Sequence, residues 1–278
     1  MNAIEIKGLK KSYKDFDLEL SLALPQGCIM GLVGENGAGK STTIKCILGM
    51  TKKDAGDIKV LGQDIGKDHT PLKERIGVVM DEPPFPAGLN PKQINRVMAG
   101  IYKSWDSAAF YGYLERFSLP LDKCFSDFSR GMKMKLSIAA ALSHHPILLI
   151  LDEPSSGLDP LVRDEVMDIF SEFTRDETHS ILISSHIVSD LEKICDYIAF
   201  IHKGTLMLCE EKDELLEKYC FIQCSAAELE GVDPSAVIGR KVRPYGVSAI
   251  VRREAVPAGL NWAPVSIEEL FVFMTKEA

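Results

Sequence analysis

The sequence contains no apolar run approaching the roughly 18 residues that a helix needs to cross a bilayer. Its compact apolar stretch Ile147–Leu151 has the length of a buried strand instead. The first residues, Met1–Lys10, lack the apolar core of a secretory signal. No CxxC pair occurs among the scattered cysteines Cys28, Cys46, Cys124, Cys195, Cys209, Cys220 and Cys224. A zinc cluster or a disulfide framework is therefore disfavoured, and reduced thiols in a cytosolic chain are the expectation. Positive charge is also short: 32 Lys and Arg face 40 Asp and Glu, a net charge of −8. That argues against a nucleic-acid partner, which would call for a basic face. It leaves a phosphate site open, because such a site works through backbone N–H groups, one Lys and Mg²⁺. Internal repeats and low-complexity tracts are absent as well.

What is present is ordinary for a folded protein: 278 residues, 46% of them hydrophobic and 26% charged. That length suggests one full domain and an appendage, or two small domains. Apolar β-prone runs bounded by turn residues occur at Ile4–Ile6, Leu18–Leu24, Cys28–Val33, Ile58–Leu61 and Ile76–Met80, and again at Ile147–Leu151, Ile181–Ser184 and Ile198–His202. Helical patterns lie between them, at Lys40–Leu48, Met132–Leu142 and after Pro160, where Val162, Val166, Ile169 and Phe173 mark one buried face. Alternating strands and helices predict an α/β fold with a mainly parallel sheet. Pro91–Leu142 breaks the alternation with about three helical segments and reads as an inserted helical subdomain, at about 88–143. After Lys218 the texture changes again. Phe221–Ser225 and Val247–Arg252 look like strands and Ile267–Lys276 like a last helix, which divides the chain into a core at 1–218 and a small α+β accessory region at 219–278.

Gly34-Glu35-Asn36-Gly37-Ala38-Gly39-Lys40-Ser41, followed by Thr42, fits the P-loop pattern GxxxxGK[ST], with a buried strand running into it and a helix leaving it. Glycines let successive N–H groups converge on phosphate oxygens, and the helix presents its positive end to the same anion. Lys40 would place a charge on the β/γ-phosphates, and the Ser41 hydroxyl would ligate Mg²⁺. The second strong signal is the strand Ile147–Leu151 ending in Asp152-Glu153. Asp152 is placed to hold the Mg²⁺ shell, and Glu153 to orient and deprotonate an attacking water. Taken alone, an acidic pair would only mark the exposed end of a strand.

Between these elements lies Phe128-Ser129-Arg130-Gly131-Met132, opening the Ala-rich helix. Here the chain resembles the ABC ATPase family, whose signature reads LSGGQ: Ser129 and Gly131 match, while Phe128, Arg130 and Met132 depart. By the same resemblance Ser156-Gly157-Leu158-Asp159 looks like the D-loop, His186 like the switch histidine, and Tyr13 like the aromatic that stacks on adenine, with Phe16 near enough to substitute. Where the family carries a Gln that touches Mg²⁺ or the water, this chain has Asp81 followed by Glu82; Asp81 is assigned to the metal, and a one-residue slip would make it Glu82.

The resemblance covers roughly residues 1–218 and implies a P-loop NTPase core with an antiparallel β part at the N-terminus. It further implies ATP and Mg²⁺ as ligands and hydrolysis of ATP. The implied site is shared, with Ser129, Arg130, Gly131 and Met132 of a second ATPase subunit, this chain or a paralogue, reaching the γ-phosphate. The implied partner is a separate membrane permease docking near Asp81–Asn95, with the chain held at the inner face of the cell membrane and working for export. Two rival readings stay open: an ABC-type ATPase outside transport, and a regulatory nucleotide-binding module.

Overall fold

The structure is a computed structural model that describes residues 1–64, 70–82, 84–244 and 246–276. Strands β1 (Asn2–Tyr13), β2 (Phe16–Pro25) and β3 (Ile29–Val33) precede helix α1 (Lys40–Ile47). Then come β4 (Ala55–Val60), β5 (Gln63–Asp64), α2 (Thr70–Lys73) and β6 (Ile76–Val79). Three helices, α3 (Pro91–Ile101), α4 (Ser107–Arg116) and α5 (Arg130–Leu142), intervene before β7 (Leu148–Asp152). They are followed by α6 (Pro160–Phe173), β8 (Ser180–Ser185), α7 (Val188–Ile194), β9 (Tyr197–His202) and β10 (Thr205–Glu211). The last elements are α8 (Lys212–Lys218), β11 (Tyr219–Cys224), α9 (Ala226–Glu230), β12 (Val237–Arg243), β13 (Gly246–Arg252), β14 (Trp262–Pro264) and α10 (Ile267–Lys276).

Among the described residues the main sheet has the order β5-β4-β1-β2-β10-β9-β3-β8-β7-β6. From β9 to β6 all neighbours are parallel. The N-terminal strands β2, β1, β4 and β5 pair antiparallel, as the resemblance implies. The parallel strands are buried on both faces, so period-two alternation sends their side chains into two cores. Leu148, Ile150 and Leu182 join Met30, Leu32, Ile44 and Ile47 on the α1 side. Leu149, Leu151, Ile181 and Ile183 join α5 and α6 on the other. This alternation decides where the strand-end polar groups point. Asp152 continues the Leu148, Ile150 series and faces α1.

Helix α3 starts where Asn90 and Gln93 form a reciprocal capping box ahead of Pro91. Asp106 caps α4 through Ala108 and Ala109 N–H, and Ser129 caps α5 by accepting from Met132 N–H. In α6 the predicted stripe is rotated: Val166 and Ile169 are buried as expected, but Met167 and Phe170 complete the face, while Val162 and Phe173 are only partly covered. The sequence reading also missed β10, β12 and β14. The turn before β10 is formed by Lys203 and Gly204, with φ of +45° and +80°, the two-residue hairpin geometry in which both centre residues are left-handed. The C-terminal strands form a separate antiparallel sheet, β12-β13-β11-β14, against which α10 packs.

His144 follows α5 and stacks on Tyr102 at 4.1 Å, with Nε2 at 3.1 Å from the Ile76 carbonyl. Burial holds its imidazole below the usual histidine range. Below a pH of about 6.5 the unfolded chain therefore takes up a proton that the folded chain resists, and stability present above that pH is lost as pH falls. The melting temperature of His144→Gln is expected to drop less between pH 7 and pH 5.5 than that of the parent. An equal drop would assign the slope to other groups.

Candidate functional site

The loop from Gly34 to Ser41 leaves the fully buried strand β3 and closes into α1 at Gly39, whose φ is +115°. Only glycine holds that position without strain, and a Cβ there would also come within 2.7 Å of Leu18. At Gly34 a Cβ would sit 2.5 Å from the Ile201 carbonyl oxygen on β9. The loop is thus pressed directly onto a neighbouring strand. Gly204 N–H donates to Ala38 O from the β9–β10 turn at 3.0 Å, bracing the loop from that side.

Lys40 is buried, and its ammonium is shared by three acceptors: Gly34 O at 2.7 Å, Glu35 O at 3.3 Å and Glu153 Oε1 at 3.2 Å. The Ser41 hydroxyl donates to Asp152 Oδ1 at 3.0 Å, as the strand alternation requires. Asp152 also accepts from Ser184 Oγ at 2.7 Å, its register partner on β8. Ser41 Oγ and Asp152 Oδ1 are two hard oxygen donors side by side at 3.0 Å, the donor chemistry that suits Mg²⁺.

Glu153 has a left-handed backbone, φ +52°, rare for a non-glycine residue. Its N–H donates at 3.1 Å to both Ser184 O and Ser184 Oγ, which holds the unusual turn. The turn carries the carboxylate back over the site, where His186 Nδ1–H donates to Oε2 at 2.6 Å. P-loop lysine, strand-end carboxylates and the histidine just after β8 therefore form one connected network. Sequence reasoning missed Ser184, because its importance arises only from the β7–β8 register.

Asp159 caps α6 by accepting from Val162 N–H at 3.1 Å. The segment before it is fixed by a largely buried pair: Arg163 Nε lies 3.5 Å from Asp190 Oδ2, Ser155 Oγ donates to the same oxygen at 2.9 Å, and Arg163 Nη2 donates to Leu158 O. Arg163 and Asp190, from α6 and α7, were also overlooked; neither lies in a motif. Tyr13 ends β1 half-exposed, its ring 6.5 Å from Phe16, and Phe16 packs beside Gly39. Asp81, assigned to the metal from sequence, has a protein partner of its own. Its carboxylate is ion-paired with Arg130 at 2.8 Å. In the Ser129–Met132 segment, Ser129 Oγ accepts from Met132 N–H within the turn, and Arg130 donates to Asp81 and Ser156.

The family model described as ABC transporter matches residues 18–156, from β2 through the P-loop and both strand-end carboxylates to the start of the next loop. This chain belongs to the ABC transporter family. It is an ATP-binding ATPase subunit with an α/β P-loop core. The bacitracin transport ATP-binding protein BcrA of Bacillus licheniformis is 39% identical over 201 residues, 70% of this chain and 64% of that protein. The Nod factor export ATP-binding protein I of Rhizobium etli is 32% identical over 252 residues, covering 84% and 75%. Among solved structures, an ATP-binding subunit of an ABC transporter aligns with TM-score 0.70 at 29% identity, over 77% of this ABC subunit and 91% of that chain. No helix among the described residues is long and apolar enough to cross a membrane.

Proposed function

We propose that this subunit is the motor of an exporter, turning ATP hydrolysis into movement of a separate membrane permease while itself staying at the cytoplasmic face. One observation carries the reading: Lys40 and Ser41 at the start of α1, Asp152 and Glu153 at the end of β7 and His186 after β8 are joined, with Ser184, by contacts of 2.6–3.2 Å. The export direction is supported by the likeness to ATP-binding proteins of bacitracin transport and Nod factor export.

The P-loop N–H groups and Lys40 bind the β/γ-phosphates, and Ser41 with Asp152 holds Mg²⁺. Mg²⁺ held there would supply positive charge to offset the charge that develops on the phosphates. Glu153 accepts a proton from the attacking water, and His186 keeps that carboxylate aimed by its Nδ1–H bond. Binding of phosphates gives Lys40 a new acceptor, freeing Glu153 Oε1 for the water. Ser129 and Gly131 in a second copy face the γ-phosphate, so the start of α5 and that of α1 approach one anion from opposite sides. The division at residue 218 fits this reading, with the accessory sheet outside the ATP site. The permease is placed against the segment Asp81–Asn95, of which Pro83 lies outside the described residues.

The test is affinity purification from detergent-solubilised membranes together with phosphate release. Recovery of a multi-span protein with ATP turnover supports the motor, while turnover with no membrane partner would move the chain outside transport. Tyr13→Ala is expected to weaken ATP binding by about 1–3 kcal/mol, the range for a lost aromatic–base stack. If Phe16→Ala alone weakens it, the adenine rests on Phe16.

A further inference from the structure

The two residues that depart furthest from the family's pattern, Asp81 and Arg130, touch each other. Arg130 Nη2 donates to Asp81 Oδ1 at 2.8 Å and to Ser156 Oγ at 3.2 Å. Arg130 is the first residue of α5, directly after the cap Ser129. A cation there opposes the helix dipole, and no acidic residue occupies the first turn to offset it. Asp81 supplies an anion from outside the helix that offsets it. The far side of the guanidinium group rests on Gly157, φ +69°, where a Cβ would come within 3.0–3.1 Å of Arg130 Nη1, Cδ and Cζ. Next to it, Gly131 faces Leu158 across 3.5 Å measured from its own absent Cβ. Three segments therefore meet on one side chain: the end of β6, the start of α5 and the loop after β7. Meanwhile Asp152 has its carboxylate engaged by Ser41 and Ser184.

We infer that Asp81 and Arg130 form an intramolecular clasp, with Asp81 serving Arg130 rather than the metal and Arg130 acting as a positioning residue that sets the Ser129–Gly131 segment against Ser156–Leu158. The substitutions are matched: a carboxylate in place of the family's neutral amide is what an arginine in place of a glycine needs. Arg130 is not a catalytic residue in this scheme. The clasp fixes how the signature segment is offered to a second copy, and so rests on the proposed function for its catalytic effect.

The experiment measures ATPase rate against Mg²⁺ concentration at saturating ATP for Asp81→Asn, Arg130→Met, the double variant and the exchange Asp81→Arg with Arg130→Asp. Both partners are about half-exposed, so each single variant is expected to lower kcat by only about two- to fivefold. The Mg²⁺ half-saturation point should stay unchanged, the double variant should fall no further than the worse single, and the exchange should recover part of the loss. A tenfold rise in that half-saturation point confined to Asp81→Asn would make Asp81 a metal ligand and overturn the clasp. Additive losses in the double variant would overturn it too. The same four proteins are compared in thermal unfolding, where non-additive shifts support the clasp and additive ones sink it. If the parent protein does not hydrolyse ATP at all, the motor reading fails while the unfolding cycle still decides the clasp.

Discussion

Glu153→Gln is expected to lower steady-state ATP hydrolysis by about 10²–10³-fold, within the range that a positioned general base supplies, while ATP affinity changes by no more than a few-fold. The amide is nearly isosteric, so the left-handed turn held by Ser184 and the reach towards Lys40 survive. What is lost is the ability to take a proton. His186 Nδ1–H can still donate to the amide oxygen, so the site keeps its shape without its base. The variant should accumulate an ATP-bound dimer, visible as a doubled mass in size-exclusion chromatography with ATP and Mg²⁺. Phosphate release within threefold of the parent rate would remove Glu153 from the role.

Lys40→Ala should weaken ATP binding by about 10–100-fold, since a charge-assisted hydrogen bond to phosphate is worth about 1.5–3 kcal/mol. The geometry predicts a second effect. Lys40 is the cation beside Glu153, a side chain only 12% exposed, so its removal leaves a carboxylate without its ion-pair partner. Titration calorimetry with a slowly hydrolysed ATP analogue checks the first effect and a melting curve without nucleotide the second. Unchanged affinity would mean that the Gly34–Ser41 loop does not hold the phosphates.

Much of this site is legible in the sequence because its parts are local. The P-loop needs glycines at fixed spacing beside a strand and a helix, and the strand-end carboxylates follow from one apolar run, so neighbours along the chain suffice. The main sheet and the helical insertion are legible for the same reason: each element carries its own period. The residues missed are those whose role comes from register between distant strands. Ser184 matters because it lies opposite Asp152, and Asp190 because α7 brings it against Ser155 and Arg163. The contact between Asp81 and Arg130 was hidden for a related reason: motif position points Asp81 to the metal, while the fold also puts it within reach of Arg130, 49 residues away in the chain. β10 and β12 went unseen because edge-like, half-exposed strands carry a weak alternation.

The place of β3 in the sheet has a consequence for how the protein is made. Its two neighbours are β8 and β9, whose first paired residues, Ile181 and Tyr197, come 152 and 167 residues after their partners Ile29 and Met30. At about 5–20 residues per second, a ribosome delivers those strands roughly 10–30 s after the glycine loop has been synthesised. Until then the nascent P-loop has neither the Ile201 carbonyl to press against nor the Gly204 amide to brace it. Nucleotide capture during translation is therefore a late event, and a chain truncated before residue 180 should emerge with its most recognisable motif intact and no ability to bind.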